Sequence, residues 1–236
     1  MFTYKGKSSE EMHLVIVDEV PMLGATRDAE LIEVPGRSGD LVLDKGRFRS
    51  VVHSLDCRVI AQNASTMRET VRAIHNWLLS DAQFHEFEWK NDPDYLYFAK
   101  VEGSVETNRV IETFGNSRID FRFQPIKLLK SGLVEREVTS GSQLTNPFDL
   151  AANPTVRIVG SGDMTLQIGE SRVVLRGISG GCIIDTENQM ITSLDGTRML
   201  FTQMRSLFPV LGAGRNTITF PSGLRMFVAP RWGCLL

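Results

Sequence analysis

Residues 147–236 of this 236-residue chain contain neither lysine nor histidine. Chemistry that needs an imidazole is therefore confined to the first part, where His13, His53, His75 and His85 lie. These four form no HxH, HExxH or His-plus-Cys pattern, so no metal ligand is assigned. His85 comes nearest, beside Glu86 and Glu88, but strand alternation puts both glutamates on the opposite face. Cysteine is scarce and odd in number: Cys57, Cys182 and Cys234, with no CxxC spacing. That argues against a disulfide framework and leaves reduced, buried or incidental thiols. No apolar run approaches the ~20 residues needed to span a bilayer. Residues 1–6 lack the apolar stretch of a signal peptide, so the expected setting for synthesis and folding is the cytosol, with no membrane partner. Strong charge is absent as well, with a net charge of −2 and a pI near 6.1, which argues against bulk nucleic acid or an anionic membrane as the main target.

Catalytic signatures are equally thin. There is no P-loop, no GxSxG elbow and no glycine-rich turn from strand to helix. Gly160, Gly162, Gly177, Gly180 and Gly181 belong to β turns. Asp185 with Glu187, and Asp92 with Asp94, have a spacing that glycoside hydrolysis can use. Each pair sits at a turn signal, where Asp bonds its own backbone, and turn chemistry is the better reading. Cys57 lies in a strand without His and Asn partners, which does not suit an active thiol. For sugar binding, residues 147–236 offer one tryptophan, Trp232, and no tyrosine, while Phe201, Phe208, Phe220 and Phe227 read as core. No catalytic, cofactor-binding or metal-binding residue is assigned, and the chain is not expected to be an enzyme.

What is present is β structure. With 42% hydrophobic and 23% charged residues, the chain can bury a substantial core, and two domains are expected. Residues 2–4 and 12–17 read as strands, the second apolar on both sides and hence buried or central. Residues 51–60 follow as a strand with Val51, Leu55, Cys57 and Val59 on one side. The one confident helix covers about 65–80, with Thr66 and Glu69 as a capping box and Met67, Val71, Ile74 and Leu78 on one face. It is expected to cover a sheet face. Residues 84–89 and 95–101 form a hairpin. Residues 110–114 and 118–123 repeat the pattern around a turn at Gly115, Asn116 and Ser117, with Ile119, Phe121 and Phe123 inward and Arg118, Asp120 and Arg122 outward.

Turn-rich sequence between Ser131 and Pro154 places a boundary, giving domains 1–146 and 147–236. The second contains short strands near 156–159, 164–168, 172–175, 182–185, 190–193, 198–201, 217–220 and 224–228, at the spacing of a β-sandwich or jelly roll. The fold class is mainly β with one α-helix: an N-terminal sandwich or sheet domain and a C-terminal β-sandwich.

One stretch, 30–49, reads as a hairpin arm reaching away from its domain. Pro35 fixes its own φ, and Gly36, Gly39 and Gly46 supply turn freedom. A two-stranded ribbon is marginal alone in water, so it leans on its parent domain or on a neighbouring copy. The residues assigned to a contact with a neighbour are Leu31, Ile32, Val34, Pro35, Gly36, Arg37, Leu41, Val42, Leu43 and Phe48.

Across the whole chain, the order of features resembles the distal tail protein (Dit) family of siphophages that infect Gram-positive bacteria. The residues that carry the likeness begin with Phe2-Thr3-Tyr4 and Gly6, then Val34-Pro35-Gly36-Arg37-Ser38-Gly39-Asp40-Leu41. Tyr95-Leu96-Tyr97-Phe98, Asn153-Pro154-Thr155-Val156-Arg157-Ile158 and Ile183-Ile184-Asp185 follow. Last comes Phe208-Pro209-Val210-Leu211-Gly212-Ala213-Gly214-Arg215-Asn216-Thr217-Ile218. The resemblance implies a hexameric ring of this chain in the virion tail tip, arms embracing neighbours, and a galectin-like C-terminal β-sandwich projecting outward. It implies a tail-tube protein on one face, a tail-associated lysin or fibre protein on the other and, in some phages, receptor-binding proteins. DNA would pass through the lumen without specific binding, which a slightly acidic first domain favours. The alternative is a carbohydrate- or cell-surface-binding β-sandwich module without catalysis; a wall hydrolase comes third.

Overall fold

Short strands and tight turns make up the first of two units, Met1–Lys127 with Leu235–Leu236. Its elements are β1 (Phe2–Tyr4), β2 (Lys7–Ser8), β3 (Leu14–Ile16), β4 (Arg27–Ile32), β5 (Leu41–Phe48), β6 (Val51–Ile60), α1 (Ala64–Leu78), β7 (His85–Trp89), β8 (Tyr95–Val101), β9 (Glu106–Ile111) and β10 (Phe114–Phe123). The structure is a computed structural model and describes residues 1–17 and 24–236. The main sheet runs β2-β1-β7-β8-β10-β6-β3, with β9 added to β10, while β4 and β5 form a separate two-stranded ribbon.

Alternation along β10 sets the core. Ile119, Phe121 and Phe123 are fully buried, and β6 presents Leu55, Cys57 and Val59 to the same side. The rings of Phe2, Phe87 and Phe121 pack with centroids 5.0 to 5.6 Å apart. Helix α1 closes this face with Met67, Ile74, Trp77 and Leu78, and Trp77 Nε1 donates to the Tyr4 carbonyl at 2.9 Å. The helix begins at Ala64, within the expected start between Asn63 and Thr66, but Thr66 is not its cap. Asn63 is the cap, its Oδ1 accepting from the Ser65 and Thr66 amides, while Thr66 Oγ1 accepts from the Asn63 amide.

Two readings of this unit are corrected. The strand expected over 12–17 shrinks to β3, because His13 takes φ +54° in a turn. Among the described residues it lies at the edge of the sheet, after β6, with Leu14 buried and Val15 exposed. The turn expected at Gly115, Asn116 and Ser117 is strand: these residues face Val59, Arg58 and Cys57 in a ten-pair ladder, and the chain reverses between Ile111 and Phe114. Long-range pairing overrides the local turn preference.

β11 (Ile126–Leu129) carries the chain into the second unit, Leu128–Cys234. There follow α2 (Lys130–Leu133), β12 (Arg136–Val138), β13 (Gln143–Asn146), β14 (Thr155–Val159), β15 (Gly162–Ile168), β16 (Ser171–Ile178), β17 (Gly181–Asp185), β18 (Met190–Thr192), β19 (Gly214–Thr219), β20 (Arg225–Ala229) and β21 (Gly233–Leu235). Five strands in the order β12-β20-β14-β17-β18 and four in the order β13-β19-β15-β16 enclose one core of Val, Ile, Leu and Met side chains. The boundary falls at 127/128 and not at 146/147, because β12 pairs with β20 and β13 with β19, which commits 136–146 to the second unit. Residues 198–201 are not a strand; Met199 and Phe201 are exposed. Phe227 is also outside the core, with the Arg157 guanidinium 3.8 Å over its ring.

Candidate assembly interface

The ribbon of β4 and β5 is built by the residues at its tip. The Val34 carbonyl accepts from the Arg37 amide at 3.1 Å, with Pro35 and Gly36 between them and Gly36 at φ +81°. Proline followed by a left-handed glycine is the signature of a tight type II reversal. Below the tip, Leu31 opposes Val42, Ile32 opposes Leu41 and Glu30 opposes Leu43. Opposed residues share a face and successive ones alternate. Leu31 and Val42 therefore lie on one face, and Ile32, Leu41 and Leu43 on the other. Both faces are apolar and both are open: Leu31 and Val42 are 65% and 67% exposed, and Ile32, Val34, Leu41 and Leu43 are exposed too. Pro35, Gly36 and Arg37 at the tip are likewise exposed. Of the ten assigned contact residues, only Phe48 is covered in part, with the Arg27 guanidinium 4.9 Å from its ring.

The root of the ribbon is held differently. Arg27 pairs with Phe48 and Ala29 with Asp44, so Asp28 alone faces Lys45, Gly46 and Arg47. This bulge turns on Gly46, which takes φ +70° and donates its amide to Asp44 Oδ1 at 2.8 Å. A bulge re-aims the side chains beside it. Here it gathers alternate residues over one carboxylate. Arg47 Nε donates to Asp28 Oδ2 at 2.7 Å, Arg49 Nε and Nη2 to Oδ1 at 3.0 and 2.7 Å, and Lys45 Nζ stands 4.0 Å away. The Asp28 side chain is 3% exposed. Its cover is the long side chains of its partners on a thin ribbon, so the site stays close to water. The Arg49 and Arg47 guanidiniums hold its carboxyl below the usual carboxylate range. A second pair, Arg27 with Asp44 at 2.7 Å, ties the strands on the other side of the bulge. This clamp was not read from the sequence; the alternation of Lys45, Arg47 and Arg49 opposite an isolated Asp28 was the signal for it.

Beside the clamp lies an open cleft of about 670 Å³. Its wall includes Lys45, Arg47, Arg49, Lys100 and Arg122, and among the described residues Asp28 is the one carboxylate in the lining. Arg122 is held by Glu102 in a two-pronged pair at 2.8 and 2.9 Å and by Ser50 Oγ at 2.9 Å.

Three of the four paired carboxylates have structural partners. Asp185 accepts from the Asn188 amide and side chain, and Glu187 from Asn153 Nδ2. Asp92 pairs with Lys127 at 2.7 Å and accepts from the Tyr97 hydroxyl. His85 Nε2 lies 2.6 Å from Asp81 Oδ1, and Lys5 Nζ 3.0 Å from Asp81 Oδ2. Cys57 and Cys182 are buried in different units, and burial pushes the Cys182 thiol up to about 12. Trp232 is buried in the second core and offers no platform to a sugar. Among the described residues no group of His, Cys, Asp and Glu gathers that could hold a metal ion, and no helix is long and apolar enough to cross a membrane.

No family model matches the chain, and no curated protein matches it. Among solved structures it is similar to SPP1 Dit (gp 19.1), described as a paradigm of hub adsorption apparatus in Gram-positive infecting phages. That likeness has a TM-score of 0.77 over 96% of this chain and 96% of that chain, at 13% identity. A chain in the phage p2 baseplate in its activated conformation with Sr aligns at a TM-score of 0.46 over 87% of this chain and 86% of that one, at 9% identity. At such identities the correspondence is one of architecture: this chain is built on the mainly β Dit fold that the order of its motifs implied.

Proposed function

We propose that this chain is a structural component of a phage tail tip, forming a hexameric ring that joins the tail tube to the baseplate or tail fibre and lets DNA pass. The observation that carries this reading is the arm. A ribbon lying on its own domain needs one apolar face, and this one has two, both in water. Two exposed apolar faces call for two covering surfaces. A neighbouring copy supplies one, and the tail-tube protein stacked on the ring supplies the other. The contact between copies is head to tail, with Leu31, Ile32, Val34, Pro35, Gly36, Arg37, Leu41, Val42, Leu43 and the partly covered Phe48 on the arm side. Such a contact closes into a ring when its rotation divides a full turn. The similarity to the SPP1 hub protein supports the same reading, as does a net charge near zero, which would not hold DNA in transit. The second unit, a galectin-like sandwich on this reading, stands away from the tube, and the face opposite the tube carries the tail-associated lysin or fibre protein, with receptor-binding proteins added in some phages. The product would be made in the host cytoplasm and reside in the virion.

The test is the mass of the purified chain by light scattering across micromolar concentrations, with negative-stain images of the same fraction. Six-subunit rings are expected. A monomer at every concentration that is retained on host cell-wall glycan would overturn the ring in favour of an adhesion module.

A further inference from the structure

We infer that the basic cleft at the root of each arm is the seat for the arm tip of a second copy of this chain. This rests on the ring reading and adds to it the place where each arm ends.

The two surfaces match in charge. The tip, 33–40, carries Glu33 and Asp40 against Arg37, all exposed, and among the described residues none of the three side chains has a hydrogen-bond or ion-pair partner. Among the described residues, the cleft is short of anions. Glu102 is already taken in both oxygens by Arg122, so Lys100, 3.7 Å from it, keeps charge to spare. Asp28 is shared by Arg47 and Arg49, and Arg47 spends only its Nε there. Its remaining donors face solvent, the side chain being 73% exposed. Phe84 and Pro125 also line the cleft, apolar companions for Val34 and Pro35 of an incoming tip.

The two surfaces cannot meet within one molecule. The nearest pair, Asp40 at the tip and Lys45 in the cleft, stand five strand positions apart, about 17 Å of extended chain, and Arg47 and Arg49 lie farther along. An acidic tip and a basic seat held apart on one chain satisfy each other only between copies. That makes each contact head to tail and gives every contact the same sense.

The test uses the full chain with single cysteines at the two surfaces, Ser38→Cys at the tip and Ser50→Cys in the cleft. Tip and cleft of one molecule are too far apart to bridge, since a disulfide needs Cα atoms within about 7 Å. Under mild oxidation the mixture of S38C and S50C chains is expected to give a covalent dimer, and neither variant alone nor the unmodified chain should do so. Adding Asp40→Lys to the S38C chain should lower the yield at least about tenfold, and Lys100→Glu on the S50C chain should restore it. Ser38 is exposed and Ser50 half-buried, its Oγ accepting from Arg122 Nη1 at 2.9 Å, so unchanged thermal melts would confirm that folding is intact. Rings of six without the cross-link would sink the seat and leave the ring standing. A chain that never assembles would sink both. A cross-link indifferent to D40K, or one competed away by a short DNA duplex that binds the cleft, would show that the cleft is not a seat for the acidic tip.

Discussion

Consider the double variant Leu31→Thr with Val42→Thr. These residues oppose each other across the ribbon and form one of its apolar faces. Fully burying a Val or Leu side chain contributes ~1.5–3 kcal/mol, and about two thirds of each of these remains in water. Their combined contribution to a contact is therefore about 2–4 kcal/mol, and the methyl that threonine keeps brings the loss to about 2–3 kcal/mol. That is a weakening of each subunit contact by about 30- to 150-fold. Thr suits a strand, so the ribbon itself should form as before. Light scattering over a concentration series should show assembly moving to higher concentration by that factor, while the thermal melt of the dilute chain stays where it was. The melt is the discriminating arm of the experiment. Atoms that are solvated in the folded monomer and in the unfolded chain contribute little to monomer stability. A variant that melts several degrees lower yet assembles normally would show that the arm packs on its own domain, refuting the interface.

Two further outcomes follow from the packing. Asp28→Asn keeps the size of the side chain and removes its charge, so the clamp on Arg47 and Arg49 should loosen, seen as faster hydrogen exchange in β4 and β5 relative to the main sheet. Because the Asp28 carboxyl is held below its ordinary value, protection in the natural chain should be constant above about pH 4 and fall as pH drops further, whereas the Asn variant should lack that dependence. In the second unit, a methyl added at Gly132 would lie 2.8 Å from the Trp232 backbone nitrogen and 3.1 Å from its ring. Gly132→Ala should cost about 1–3 kcal/mol in a denaturant melt, while Gly212→Ala, which meets nothing within 4 Å, should be close to neutral.

Some of this architecture was legible because it is written locally. The alternation of Ile119, Phe121 and Phe123 with Arg118, Asp120 and Arg122 is the two-residue period of a strand with one wet face, and it forms as read. The helix face of Met67, Ile74 and Leu78 is as direct, although Trp77 was missed and Asn63 was not seen as the cap. Failures came where distant partners decide. Gly115, Asn116 and Ser117 carry strong turn chemistry, yet the whole of β10 is captured by β6. Residues 136–138 and 143–146 look like linker because their strands are short, and their partners in β20 and β19 lie some seventy to ninety positions downstream. The arm was visible through Pro35, Gly36 and its apolar strands. Its root was not, since the alternation of Lys45, Arg47 and Arg49 does not by itself say that a bulge will bring all three to a single carboxylate.

The distribution of residues along the arm constrains what can cover it. An exposed apolar ribbon is a site for open-ended association, and chains usually blunt such edges with charge or proline. Here the middle, around Leu31, Ile32, Leu41, Val42 and Leu43, carries a single charge, Glu30 opposite Leu43 and 3.6 Å from Lys45, and charge gathers at both ends: Glu33, Arg37 and Asp40 at the tip, Asp28, Lys45, Arg47 and Arg49 at the root. An apolar stretch bounded by charges has a defined length and register, because sliding along it would strand ionic groups against apolar ones, which costs more than the sliding gains. Unlike charges at the two ends add a direction. A surface that fixes length, register and direction together selects one relative placement of two copies, repeated without variation. Repetition of a single head-to-tail placement ends in a closed ring or an endless filament, and the rotation between copies alone decides which. The number of subunits is therefore the quantity that the Leu31 and Val42 variants should leave unchanged even as they shift the concentration at which it is reached.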